Sequence, residues 1–254
     1  MKYTVSTISD IGNIKTKNQD SILVKNIKTG NGDSIILSIV CDGVGGLDKG
    51  EIASFTVIHK FNEWISDFLI KNSFSLEKVK IDWDYLIKDL NLKIYEYGKE
   101  NSCTLGTTIS AILIYNDNYL ISQVGDSRIY KIEDKIEKLT KDQTVGQREL
   151  DLGNITYFEF KEDRRRSILL QAIGTSKSIF PVYSYGKIGK YGTILICSDG
   201  FSNKLEASEM YEELEFRNLE SKEIMEDRLK SLVSKVKQRN ERDNISAILL
   251  KYEE

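Results

Sequence analysis

Apolar and polar positions alternate with a period of two over residues 2–9 and again around 21–26, the spacing of strands. Residues 34–41 (SIILSIVC) are a short, almost unbroken apolar run, which reads as a buried strand. The period then changes. Over 51–72, Phe55, Ile58, Phe61, Ile65, Phe68 and Leu69 recur at helical spacing, and from about 82 a second helix carries Trp83, Leu86, Leu90, Ile94 and Tyr97. Strand patterning returns over 107–139, broken at Asn116-Asp117-Asn118 and Asp134-Lys135, which suit hairpin turns. Residues 193–197 (TILIC) and 245–250 read as two further buried strands, with Ile224, Leu229, Leu232, Val233 and Val236 marking a helix between them. This order predicts an α+β fold of antiparallel sheets covered by helices, not an alternating βαβ series. No linker, repeat or low-complexity tract divides the chain, so one domain over 1–254 is expected. The least regular and most charged part, 143–166, reads as a solvated loop with a short helix.

Composition narrows the function. The chain has 254 residues, 40% hydrophobic and 30% charged, enough for a sizeable core. Its net charge of -3 argues against a nucleic-acid partner. Cys41, Cys103 and Cys197 lie in or beside apolar stretches, which predicts buried thiols in a reducing compartment. The N-terminal residues lack a signal-peptide core, and no apolar run approaches the roughly 18 residues of a membrane helix. A cytoplasmic protein without a membrane anchor is expected. His59 is the one histidine and falls in the first helix pattern, which disfavours a zinc site or a Ser-His-Asp hydrolase. No G-x-S-x-G elbow and no P-loop occurs, and Cys197 has Asn203, not arginine, six residues on.

What recurs instead is aspartate at strand ends. SIVCDG places Asp42 after an apolar run, SQVGDS places Asp126, ICSDG places Asp199, and RDNIS places Asp243 just before one. Any one of these is explained by turn chemistry. Four together, if their strands share a sheet end, bring carboxylates into one place, and such a cluster needs a compensating cation. Oxygen ligands of this kind suit magnesium or manganese. Two hard cations about 4 Å apart that share a carboxylate can activate a water for in-line attack on phosphorus.

The ordered segments SDIGNIKTKNQDS, CDGVGGLDKGEIAS, LGTTISA, VGDSRIY, LTKDQT, LLQAIGT, CSDGFSNKL and RDNISAILL resemble the metal-dependent PPM, or PP2C-type, protein serine/threonine phosphatases, in their bacterial single-domain branch. The resemblance spans residues 9–250. It implies a four-layer α-β-β-α sandwich, two antiparallel sheets flanked by helices, with a metal cleft at one end. It implies two Mn2+ or Mg2+ ions and a third position. Asp42 would bridge two ions, the Gly43 carbonyl would complete the second, Asp199 and Asp243 would bind the first, and Asp126 with Asp199 would form the third. Asp20 would orient metal-bound water, and 143–166 would be a flap beside the cleft. The substrates implied are phosphoproteins modified by a serine/threonine kinase.

Three positions depart from the family pattern. Lys15 replaces the phosphate-gripping arginine, keeping the charge without the bidentate fork. Gln19 replaces a glutamate, and Leu47 stands where a histidine often protonates the leaving oxygen. Metal-bound water or Asp48 would have to substitute for that acid. These departures affect assistance to the reaction, not the metal carboxylates. A slowed enzyme is therefore expected, and the alternative is a degenerate domain that binds a phosphoprotein without turnover. A small phosphate ester remains open as substrate. Lys161, Arg164, Arg165 and Arg166 form a basic run that is either a solvated turn or a phosphopeptide dock.

Overall fold

The computed structural model describes residues 1–28, 34–44, 46–71 and 74–254, without the side chains of 69–71. The Leu69 side chain and Asn72 of the first predicted helix, and Gly45 of the Gly-rich segment, thus lie outside what is described. In chain order the elements are β1 (Lys2–Asp10), β2 (Ser21–Lys28), β3 (Ser34–Cys41), α1 (Gly50–Lys71), α2 (Leu76–Glu100), β4 (Ile109–Tyr115), β5 (Asn118–Val124), β6 (Arg128–Ile132) and β7 (Ile136–Lys138). There follow α3 (Val145–Asp151), α4 (Tyr157–Glu162), β8 (Val182–Lys187), β9 (Tyr191–Cys197), α5 (Asp199–Ser202), α6 (Ala207–Leu214), α7 (Lys222–Gln238) and β10 (Ile245–Glu253).

The strands form two five-stranded antiparallel sheets, in the orders β2-β3-β4-β5-β8 and β1-β10-β9-β6-β7. Central strands are buried on both faces, so their period of two is hidden under continuous apolar sequence. Ile35, Leu37, Ile39 and Cys41 of β3 face α1 and α2, while Ile36 and Val40 face the other sheet. Ile245, Ala247 and Leu249 of β10 pack toward α7, and Ile248, Leu250 and Tyr252 point inward. Three apolar layers between four structural layers result, which is the predicted α-β-β-α sandwich.

The helices show where local pattern misled. Phe55 is 62% exposed and stacks on His59, while Ala53, Val57, Phe61 and Ile65 form the buried stripe. Helix α2 begins six residues before the expected start because the Ser75 hydroxyl caps the Lys78 N–H, and Val79 extends the buried face toward the N-terminus. Tyr97 is exposed beneath the Lys49 ammonium, off the buried stripe. Strand β8 carries little apolar signal in the sequence because it is an edge strand with no fully buried residue. His59 is an ordinary exposed helical residue 3.4 Å from Glu63.

Strand register places the aspartates. Ser21 pairs with Cys41, so Asp20 and Asp42 flank one another across β2 and β3. Ile109 pairs with Val124, which carries the turn before Asp126 to the same end. In the other sheet Asp10 pairs with Ile245 and Ala247 with Cys197, which brings Asp243 and Asp199 together.

Candidate metal centre

Asp42, Asp126, Asp199 and Asp243 line one cleft of about 480 Å³, together with Leu47 and Thr108. Their backbones are held tightly. The Asp42 carbonyl accepts from the Thr108 N–H at 2.8 Å and the Thr107 hydroxyl at 2.9 Å, and the Asp42 N–H donates to Thr108 Oγ1 at 3.0 Å. Gly125, at φ +99°, lets the turn before Asp126 press against Thr108, where a Cβ would overlap the threonine side chain. The Gly43 N–H donates to the Gln19 carbonyl at 3.2 Å, and a Cβ at Gly43 would come within 2.6 Å of that oxygen. Asn203 donates to Asp199 Oδ2 at 3.0 Å from one helical turn on.

The carboxylates strain against one another. Burial, then the charges of Asp20, Asp199, Asp243 and Asp126, push the Asp42 pKa well above the ordinary carboxylate range. Burial and Asp243 raise Asp199, with Arg128 opposing, and burial, Asp199 and Asp142 raise Asp126. Asp20 is pushed up to about 7, first by burial and then by Asp199 and Asp243, which the Ser246 and Ser198 hydroxyls only partly offset. Both Asp20 carboxylate oxygens are buried without a partner in hydrogen-bonding geometry. Among the described residues, no three acidic, histidine or cysteine side chains close tightly enough to enclose a cation as they stand. The side chains share a cleft, with Asp42 and Asp199 close enough for a hydrogen bond when one of them carries a proton. An all-oxygen set with an orphaned buried carboxylate fits a hard divalent cation, which would draw these groups inward.

A pH dependence follows. A buried carboxyl whose pKa is higher in the folded than in the unfolded chain stabilises the fold when protonated. That contribution is complete below the ordinary value near 4 and is lost as pH rises through the folded value. With Asp20 at about 7, the Tm of chelator-treated protein should fall by several degrees between pH 5 and 7.5. Added Mn2+ should raise Tm more at pH 7.5 than at pH 5, as calorimetry in both buffers would show.

The other predicted positions are placed as follows. The Lys15 ammonium lies 2.8 Å from Asp243 Oδ1, so it pairs with a candidate ligand. The Gln19 side chain turns to Glu51 at 3.2 Å. Leu47 faces the cleft, whereas Asp48 Oδ2 accepts from the Thr104 N–H at 3.0 Å and is engaged in holding that loop. Residues 143–166 are more regular than expected: α3 and α4 are capped by Thr144 and Thr156, and a 3-10 turn follows at Arg164–Ser167. Ser167, Leu169 and Leu170 line the cleft. Of the basic run, Arg165 forks onto Asp163, Lys161 reaches Glu206, and Arg166 donates to the Lys161 carbonyl. Cys41 and Cys197 are buried as expected, but Cys103 is only half-buried, because it follows α2 in a surface loop.

Three supporting residues escaped the sequence. Arg128 forks onto buried Asp142 at 2.7 to 3.1 Å, and reaches Ser202 Oγ and Asn203 Oδ1 at 3.0 Å each. It thus ties the Asp126 turn to the helix that carries Asp199. Asn203 sits four residues after Asp199 in a helical turn, a spacing that could have flagged it. Asn244, 1% exposed, donates to the Ile11 and Lys17 carbonyls and accepts from the Gln19 N–H, fixing the loop that bears Lys15.

A family model described as "Protein phosphatase 2C" matches residues 13–234. The chain belongs to the protein phosphatase 2C family. It is a protein serine/threonine phosphatase of that type, and the findings favour an enzyme over a degenerate binding domain. A putative protein phosphatase 2C-type from Streptococcus pyogenes is 29% identical, over 98% of this chain and 97% of its own length. The crystal structure of serine/threonine phosphatase Stp1 from Staphylococcus aureus matches with a TM-score of 0.86 at 26% identity, over 100% of this chain and 96% of that one. The catalytic domain of the serine/threonine phosphatase PstP, crystallised with two manganese ions, matches at TM-score 0.80 and 23% identity over 99% of both chains, and shows the shared fold.

Proposed function

We propose that this chain hydrolyses phosphoserine and phosphothreonine in proteins with Mn2+ or Mg2+ ions held by Asp42, Asp126, Asp199, Asp243 and the Gly43 carbonyl. The supporting observation is that four carboxylates from four strand ends face one cleft beside the orphaned Asp20. Bound cations supply charge neutralisation at the phosphoryl group and lower the pKa of an attacking water. The chain's own residues do the rest. Asp20 accepts a hydrogen bond and orients that water. Lys15 meets the phosphate as a point charge, which anchors it less directionally than a guanidinium would. Leu47 lines the cleft but has no proton to give. Loss of a general acid costs about 10² to 10⁴ in rate, least for good leaving groups. Phenyl phosphate should therefore suffer less than a phosphothreonine peptide.

One catalytic domain over 1–254, with a flap at 143–166, belongs to the same proposal. So does action in the cytoplasm opposite a serine/threonine kinase, supported by three free thiols. No described helix is long and apolar enough to cross a membrane. The test is hydrolysis of both substrates with Mn2+, Mg2+ or excess chelator. Turnover of both that the chelator removes is expected, and metal binding without turnover of either would count against the proposal. Replacing Arg164 and Arg166 by glutamate should raise KM for a phosphoprotein about threefold to tenfold while sparing phenyl phosphate. Equal losses on both would remove the flap from substrate docking.

A further inference from the structure

A second groove, of about 450 Å³, adjoins the metal cleft and shares Leu47 and Thr175 with it. Its walls are the C-terminal turns of α2, with Tyr95 and Gly98, and the loop through Cys103 and Leu105. The groove is built, not incidental. Asp48 and Thr104 lock its two loops together through a reciprocal pair of bonds, the Asp48 N–H to the Thr104 carbonyl at 2.9 Å and the Thr104 N–H to Asp48 Oδ2 at 3.0 Å. Gly98 lets the helix approach the loop, since a Cβ there would lie 2.8 Å from the Cys103 carbonyl and 3.0 Å from Leu105 Cδ2. Gly106 does the same at the partition, where a Cβ would meet Thr175 Cγ2 at 2.6 Å and Leu47 Cδ1 at 3.4 Å. Of the charged side chains that line the groove, Lys99 lies 4.8 Å over the Tyr95 ring and Asp48 is bound to the Thr104 N–H, and the remaining lining is mainly apolar.

We propose that this groove is a specificity subsite for an apolar side chain, leucine-like in size, that flanks the phosphorylated residue of the substrate. The occupant follows from continuity. A peptide whose phosphate lies among the aspartates must leave the cleft across its walls. Leu47 with Thr175 opens onto this groove, while Leu170 opens onto a pocket of about 350 Å³ lined by the charged Lys141, Asp142, Arg148 and Asp151, which suits an apolar side chain less well. A polar side chain there would give up water for few partners, whereas an apolar one gains by burial against Leu47, Tyr95 and Leu105. Leu47, which offers no proton to the reaction, thereby acquires a binding role as the partition between phosphate and side-chain sites. The inference rests on the phosphatase reading of the neighbouring cleft.

Cys103 supplies an independent probe, since it lines the groove while Cys41 and Cys197 are buried. The experiment compares a phosphothreonine peptide with serine at three positions on either side against peptides that carry leucine at each position in turn. Steady-state kcat/KM with Mn2+ is one readout, and the rate of Cys103 alkylation by N-ethylmaleimide, followed by mass spectrometry, is the other. One leucine position should raise kcat/KM about tenfold, at the lower end of hydrophobic-pocket discrimination. That peptide, at saturation, should slow Cys103 alkylation several-fold where the serine peptide does not. Tyr95→Ala should reduce the preference to about twofold. Absence of any positional preference, or a preference unchanged in Tyr95→Ala with Cys103 unprotected, would overturn the subsite. Phenyl phosphate turnover separates the two proposals: its absence would count against the phosphatase chemistry, while protection of Cys103 would still decide the groove.

Discussion

Asp199→Asn should lower kcat/KM for both phenyl phosphate and a phosphothreonine peptide by about 10³-fold or more, because the Lewis-acid contribution lost is worth several kcal/mol. Asparagine keeps the shape of the side chain and can still accept the bond from Asn203 that Asp199 Oδ2 accepts at 3.0 Å. What it removes is a negative charge that buried Asp42 and half-buried Asp243 face across the same cleft. Activity and stability should therefore move in opposite directions. In excess chelator the Tm of the variant should equal or exceed that of the parent, while the Tm gain on adding Mn2+ should largely disappear. A variant that retained activity within tenfold, or that kept the full Mn2+-induced gain, would remove Asp199 from the metal centre.

Arg128→Met should destabilise the fold by about 3–5 kcal/mol, the usual consequence of removing one partner of a buried ion pair. The Arg128 and Asp142 side chains are only 17% and 3% exposed, so the abandoned carboxylate could not regain water. Lys138, 3.3 Å from Asp142 on the half-exposed side, offsets part of the loss. The double variant Arg128→Met/Asp142→Leu should recover most of it, since the penalty arises from the unpaired charge. Urea midpoints of the parent, both single variants and the double variant measure this directly. Burial acts to raise the Asp142 pKa, but the Arg128 guanidinium and the Lys138 ammonium together hold the carboxyl below its ordinary value. The sign for the parent protein is then fixed: the contribution is present above pH 4 and fades as pH falls through the lowered folded value. In Arg128→Met that acid-side loss should vanish or reverse. Because Arg128 also holds Asn203, and Asn203 holds Asp199, kcat should fall even where the variant is fully folded.

The departures at Lys15, Gln19 and Leu47 look different once placed in space. Lys15 is bonded to Asp243, so the charge that would grip phosphate also screens a candidate metal ligand. Gln19 shares its Glu51 partner with Lys17, which turns its amide from the aspartates toward the α1 start. Leu47 loses an acid but partitions two cavities. None of these consequences is written in the residue types alone.

The strand-end aspartates and most of the strands are legible in the amino-acid order. An apolar run followed at once by Asp-Gly is a local signal, and SIILSIVC matches β3 residue for residue because a strand buried on both faces is almost wholly apolar, with Ser38 the buried exception. Tertiary structure decided what local pattern could not. It chose Val57 over Phe55 for the buried stripe of α1, since a helix face is selected by the sheet beneath it. It made β8 a strand by pairing it with β5, although no residue of β8 is fully buried. It joined Arg128 to Asp142, 14 residues apart, and to Ser202, 74 residues apart, the latter through a contact that exists only once β6 has paired with β9. Short-range periodicity records which residues avoid water; convergence of charges from distant strand ends depends on register and sheet order, which no single segment encodes.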